Sequence, residues 1–271
     1  MVNVTHSRRA LGNTLEELGR PVLSFFEDLG GAFTLIGRVL RASPGLFRTI
    51  DLTVEQMFKI GVESLPLVVV TALFTGGVAA VQAAYQFQDY VPMRYLGTVI
   101  GKSVVIELAP VLTALVVGGR VGASIAAELG TMKVTEQIDA LETLAIDPVR
   151  YLVLPRFVAA CIMLPVITIF ADILAIGGGW AVARGSLGVD THTFTEGLRL
   201  FFYVRDIFSG LIKALFFGMI ISTMGCYYGF QAEGGAEGVG RATTRAVVSS
   251  CLSILVLDYL LASVLFRLIW T

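Results

Sequence analysis

From Phe157 to Ala183 the chain carries one charged side chain, Asp172, and from Val247 to Phe266 again only one, Asp258. About 20 mostly apolar residues suffice to cross the hydrocarbon layer of a bilayer as a helix. Inside that layer no water satisfies backbone N–H and C=O groups, so a crossing segment must be a helix or part of a closed barrel. A barrel strand needs only about 10 residues, so runs of this length point to helices. The rest of the chain agrees: 55% of its 271 residues are hydrophobic and 15% charged, against roughly a quarter charged in a soluble domain. The expected fold is an all-α integral membrane protein.

Five spans are expected, at about 65–85, 96–119, 157–183, 207–230 and 247–266. Residues 1–14 read as a polar N-terminal tail. Over 15–60 two interfacial or elbow helices are expected. In the first, apolar residues at 15, 18, 22, 25, 29, 33, 36 and 40 keep helical spacing, with Glu16, Glu17, Arg20, Glu27, Asp28, Arg38 and Arg41 around them. That pattern suits a helix lying in the plane of the interface. Ser43-Pro44-Gly45 breaks it, and a capping box of Thr53 and Gln56 is expected to open the second helix. Residues 61–268 then form one membrane domain.

Orientation follows from Lys and Arg, which gather on cytoplasmic loops. Thirteen of the twenty lie on one side: Arg8, Arg9, Arg20, Arg38, Arg41, Arg48, Lys59, Arg120, Lys133, Arg150, Arg156, Arg241 and Arg245. The N-terminus is therefore expected in the cytoplasm, and five spans put the C-terminus outside. No apolar stretch follows the early basic residues, so no cleaved signal peptide is expected.

The polar segment Arg120–Arg156 separates the second and third spans. Val134, Ile138, Leu141 and Ala145 are spaced along one helical face, and Lys133, Glu136, Asp139 and Glu142 fill the remaining arc. A short amphipathic helix is expected over about 129–146, stopped by Asp147-Pro148 because a residue before proline is pushed out of the α region. One face can meet the membrane or its own protein, and the other can meet a soluble partner.

Within the spans, Glu107, Asp172, Lys213 and Asp258 are costly in lipid and must face a partner or a watery cavity. Two readings stay open: they pair with one another and lock the bundle, or they line a transport path. The first span is apolar around much of its surface, through Leu67, Val70, Leu73, Phe74, Val78, Val81 and Tyr85. These residues face lipid and neighbouring helices, or line a greasy cavity. Glycines four apart, Gly97 and Gly101, Gly118 and Gly122, Gly225 and Gly229, read as close helix packing within one subunit.

Several chemistries are excluded. Gly97 to Ser103 has three residues between its glycines where a phosphate-binding loop needs four, and no strand precedes it. The glycines from Gly234 to Gly240 lack any βαβ context, so no ATP site is expected in this chain. His6 and His192 are the two histidines, and Cys161, Cys226 and Cys251 are isolated, so no metal is expected. No nucleophile, base and orienting group assemble into a catalytic set, and a net charge of −1 suggests no nucleic acid.

Seven motifs occur in order: Ile106-Glu-Leu-Ala-Pro110, Gly119-Arg-Val-Gly-Ala-Ser124, Ala127-Glu-Leu-Gly-Thr-Met132, Glu136-Gln-Ile-Asp-Ala-Leu141, Asp147-Pro148, Leu154-Pro-Arg156 and Gly240-Arg-Ala-Thr-Thr-Arg-Ala-Val247. Over roughly 45–268 the chain resembles the MlaE/YrbE permeases, membrane subunits of ABC transporters that work with MCE proteins. The resemblance implies a homodimer in a bacterial cytoplasmic (inner) membrane, moving phospholipids or related lipids. It implies an MlaF-type cytoplasmic ATPase that binds ATP and Mg²⁺, an MlaD-type periplasmic MCE protein, and a small STAS-domain protein as a further partner. Glu136, Gln137, Ile138, Asp139, Ala140 and Leu141 would form the coupling helix that docks in the ATPase. Glu107, Lys213, Arg241, Arg245 and Asp258 match the family's intramembrane polar positions, and Leu67, Val70, Phe74, Val78, Val81 and Tyr85 would line the lipid cavity. Some relatives have a basic residue where Ile106 stands, so no ion pair from that neighbour is expected for Glu107. From the residues alone, the alternatives are an ion-coupled secondary transporter using the intramembrane carboxylates and a membrane-embedded transferase.

Overall fold

A computed structural model describes residues 27–87 and 91–270, and it is helical throughout, with no strand among those residues. The tail expected over 1–14 and the first half of the first interfacial helix lie outside them. Five helices are long and apolar enough to cross a membrane: Ile50–Phe87, Met93–Val134, Val149–Gly185, Val204–Phe230 and Gly235–Leu268.

The first described helix, α1 (27–42), buries Ala32, Leu35 and Val39 and turns Phe33 and Leu40 outward. Its Asp28 accepts hydrogen bonds from Tyr228 Oη at 2.7 Å and Tyr227 Oη at 3.3 Å. Helix α2 (Ile50–Ile60) begins earlier than the expected capping box. Thr53 therefore sits inside the helix rather than at its cap, and its hydroxyl donates back to the Thr49 carbonyl at 2.9 Å. A tight turn over Val62–Ser64 then leads to α3 (Leu65–Phe87). Pro66 falls in the first turn of α3, where its missing N–H costs nothing.

The second span is one continuous helical rod in five pieces. Helix α4 (Leu96–Ser103) passes through a π turn at Val104–Leu108 into α5 (Ala109–Val117). A second π turn at Gly118–Gly122 leads into α6 (Ala123–Val134). Pro110 explains the first: it has no N–H to offer the carbonyl of Ile106 four residues back, and a wider turn absorbs the misfit. Met93–Val134 is 42 residues, about 60 Å at 1.5 Å per residue, roughly twice the hydrocarbon thickness. Part of the rod must therefore project beyond the bilayer.

Short α7 (Gln137–Thr143) and a third π turn (Val149–Val153) lead to α8 (Leu154–Gly185). Helix α9 (Thr191–Phe201) is opened by Asp190, whose carboxylate accepts the His192 N–H at 3.0 Å, and it buries Phe194 and Gly197. Helices α10 (Val204–Phe230) and α11 (Gly235–Trp270) complete the chain.

The core lies where α8 packs against α3 on one side and α10 on the other, with α10 also against α6 and α11. At the α3–α8 crossing a side chain on Gly76 would run into the Ala175 backbone, and one on Gly178 into the Leu73 backbone. Membrane helices associate without a strong hydrophobic drive, so such backbone approach supplies the packing. Of the glycines four apart, Gly97 meets the backbone of α9, and Gly225 and Gly229 meet the backbone of the second span, whereas Gly101, Gly118 and Gly122 meet side chains only.

Candidate functional site

Three charges from three spans converge on one point. Lys213, at 0% exposure, places Nζ 2.6 Å from Glu107 Oε2 and 2.9 Å from Asp258 Oδ1. The first contact is a hydrogen bond; the second is an ion pair. The π turn at Val104–Leu108 carries Glu107. A buried ammonium between two carboxylates balances part of the desolvation that isolated charges would suffer. Lys213, not a neighbour at position 106, is thus the partner of Glu107. Asp172 stays apart, buried in α8 with Oδ1 accepting no hydrogen bond.

Arg241 and Arg245 do not join this cluster. Both are exposed near the N-terminal end of α11, and Arg241 pairs with Glu237 at 2.7 Å. Thirteen residues of helix separate Arg245 from Asp258, about 20 Å along the axis.

The cluster is not sealed. Glu107 keeps 43% of its side chain exposed and borders two clefts. One, of about 430 Å³, lies among Ser209, Lys213, Tyr259, Ser263 and Arg267. The other, of about 690 Å³, is apolar and runs along α3 past Phe74, Val78 and Gln82. A third cleft, of about 710 Å³, follows the opposite flank of the same stripe, between Phe74, Val78, Val81 and Tyr85 of α3 and Gly178 and Val182 of α8. Leu67 and Val70 are exposed on the same face but border neither α3 cleft. The stripe leads an apolar path to a charged point, an arrangement suited to a molecule with both characters.

At the far end of the long rod the expected amphipathic helix is divided. Helix α6 stops at Val134, Glu136 takes a left-handed conformation (φ 60°), and α7 starts at Gln137. Left-handed backbone is strained for a residue with a side chain and persists where the surroundings hold it. Here Lys133 Nζ bridges the corner to Asp139 Oδ1 at 2.9 Å. The apolar stripe divides with the helix. Ile138 is buried and Leu141 half-buried, while Ala145 (φ 59°) lies beyond the helix and is exposed. Glu136, Gln137, Asp139 and Ala140 are exposed, and Leu144 is 70% exposed.

A polar cleft of about 720 Å³ between α2 and α6, which the sequence does not single out, holds Lys59, Glu63, Arg120 and Glu128 and reaches Gln137. Its signal was available in part, as basic residues at the ends of apolar runs, but their partners lie some 60 residues away in sequence. Among the described residues no three His, Cys, Asp or Glu side chains converge as metal ligands.

Comparison with known proteins bears on this geometry. The sequence profile of the family described as Permease MlaE matches residues 53–264. A probable ABC transporter permease protein of Rickettsia typhi is 40% identical over 257 residues, covering 94% of this chain and 98% of the relative. A probable ABC transporter permease protein of Synechocystis is 41% identical over 244 residues, 90% and 92% of the two chains. The intermembrane phospholipid transport system permease protein MlaE of Haemophilus influenzae is 36% identical over 255 residues, 94% and 98% of the two chains.

Proposed function

This chain belongs to the MlaE permease family, and we propose that it moves phospholipids or related lipids between the cytoplasmic membrane and a periplasmic MCE-protein assembly. It is a multi-pass permease of the ABC transporter class and not itself an enzyme; ATP hydrolysis belongs to a separate subunit. The observation that carries the lipid reading is the α3 stripe, Phe74, Val78, Val81 and Tyr85, flanked by two apolar clefts and leading to Glu107. Acyl chains would follow the stripe, and a polar headgroup would reach the Glu107–Lys213–Asp258 cluster.

In this reading the α6–α7 corner faces the cytoplasm, with Glu136 to Leu141 docking in an MlaF-type ATPase that holds ATP and Mg²⁺. Ile138 would anchor the corner to the permease while Gln137, Asp139 and Ala140 face the partner. The positive-inside bias supports this orientation, with the C-terminus in the periplasm. A second copy of the chain, an MlaD-type MCE protein and a small STAS-domain protein complete the assembly. ATP binding shifts the permease only through contacts that differ between its states.

The test is mass spectrometry of the complex purified in detergent. Wild-type complex should retain phospholipid, and Val78→Trp, which fills the apolar cleft, should retain several-fold less. Equal retention would remove the α3 stripe from the lipid path.

A further inference from the structure

We propose that Arg120 is a positioning residue that passes movement of the α6–α7 corner to α3, the helix bordering the lipid clefts. The inference rests on the ABC-permease reading above and adds the route by which the corner reaches the path. Arg120 sits in the second π turn of the long rod, where α5 becomes α6. From there its guanidinium reaches across to the elbow between α2 and α3. Nη1 donates to the Lys59 carbonyl at 3.1 Å and to Ser64 Oγ at 2.9 Å, and Nη2 meets Glu63 Oε2 at 2.5 Å.

Those three acceptors span the last turn of α2 and the tight turn that aims α3. Ser64 is fully buried, and its own hydroxyl donates to the Ile60 carbonyl at 2.7 Å. A planar, forked donor holding a backbone carbonyl, a hydroxyl and a carboxylate fixes the elbow relative to the rod in a way a flexible ammonium does not. When the rod turns or shifts at Gly118–Gly122, the start of α3 has to follow.

A second pair makes the corner move as one body with the rod. Arg156, 4% exposed at the start of α8, sets Nη2 3.0 Å from Glu128 Oε2 on α6 and donates from Nη1 to the Leu152 carbonyl at 2.7 Å. The two chain segments flanking α7 are therefore tied at their base. Arg120 and Glu63 of the first pair and Glu128 of the second line the polar cleft that extends to Gln137 at the start of α7. Displacement imposed on α7 passes through the Glu128–Arg156 tie into α6, and through Arg120 into the elbow. The Arg120–Glu63 pair is partly exposed, at 35% and 46% of the two side chains, and such a pair contributes little to stability; a role confined to holding the fold would leave lipid moved per ATP untouched.

The experiment measures lipid transferred per ATP hydrolysed in proteoliposomes holding the full complex, for wild type, Arg120→Ala and Arg120→Lys. The expected result is an Arg120→Ala complex that still assembles and hydrolyses ATP but moves about tenfold less lipid per ATP, with Arg120→Lys in between. An unchanged ratio, or hydrolysis and transfer falling in equal proportion, overturns the proposal. Where Arg120→Ala fails to assemble, the same ratio is read in Glu63→Gln and Ser64→Ala; a fall in either supports the route, and no change in both overturns it. A wild-type complex that moves no lipid with ATP overturns the transport reading and this inference with it. A wild-type complex that does, beside unchanged variants, overturns the Arg120 route alone.

Discussion

Lys213 and Glu107, 106 residues apart in the chain, meet at 2.6 Å, with Glu107 standing in the π turn just ahead of Pro110. Removing the lysine leaves Glu107 and Asp258 facing one another without the cation between them. Lys213→Met is expected to destabilise the protein by about 3–5 kcal/mol, the range for breaking a buried ion pair. The fall in thermal unfolding temperature in detergent measures it. In the double variant with Glu107→Gln the losses should be less than additive, since both changes remove one interaction.

The α3–α8 crossing depends on bare backbone. Gly76→Ala drives a methyl into the Ala175 carbonyl region, while Gly37 on α1 has open space beside it. Overpacking of this kind costs about 1–3 kcal/mol. Gly76→Ala should therefore lower the unfolding temperature and the yield of monodisperse protein, with Gly37→Ala close to wild type in size-exclusion profiles.

Glu136 and Asp139 are exposed, and the bridge from Lys133 to Asp139 is a surface one. Reversing both charges should leave stability within about 1 kcal/mol while co-purification of the ATPase falls by roughly tenfold or more. Retained co-purification would take the docking role away from this corner.

The hydroxyl of Tyr228 donates to Asp28 Oδ2 and lies 2.7 Å from Ser249 Oγ. Tyr228→Phe removes one oxygen from a network that joins α1, α10 and α11. The expected loss is about 1–3 kcal/mol, with earlier hydrogen exchange over α1 than over α3.

Much of this architecture was legible in the sequence because lipid permits few solutions. Runs such as Phe157–Ala183 can only be helices, and the five spans and their long apolar faces follow. Asp172, Lys213 and Asp258 were equally visible, since each is the single charge in its apolar run, while Glu107 shares its span with Lys102. Their pairing was not, because contact between Glu107, Lys213 and Asp258 depends on how three helices rotate about their axes. The corner at Glu136 was hidden for a different reason. Apolar residues at 134, 138 and 141 keep helical spacing across the break, so periodicity alone continues the helix through it. Thr53 was misread because a hydroxyl near a helix start can cap the helix or back-bond inside its first turn, and the choice depends on where the preceding Ser43-Pro44-Gly45 break releases the chain. Arg120 carried no local sign of its partners, which lie on the elbow before α3.

The central claim is that an apolar stripe on α3 and the charged point at Lys213 form a lipid path driven by ATP in a partner subunit. The direct measurement is transfer of labelled phospholipid from proteoliposomes containing this chain, its ATPase and its MCE partner to acceptor vesicles. The account predicts transfer that requires ATP and falls several-fold in both Val78→Trp and Glu107→Gln. Transfer driven by a proton gradient with the ATPase left out, or ATP-driven transfer indifferent to both substitutions, would contradict it.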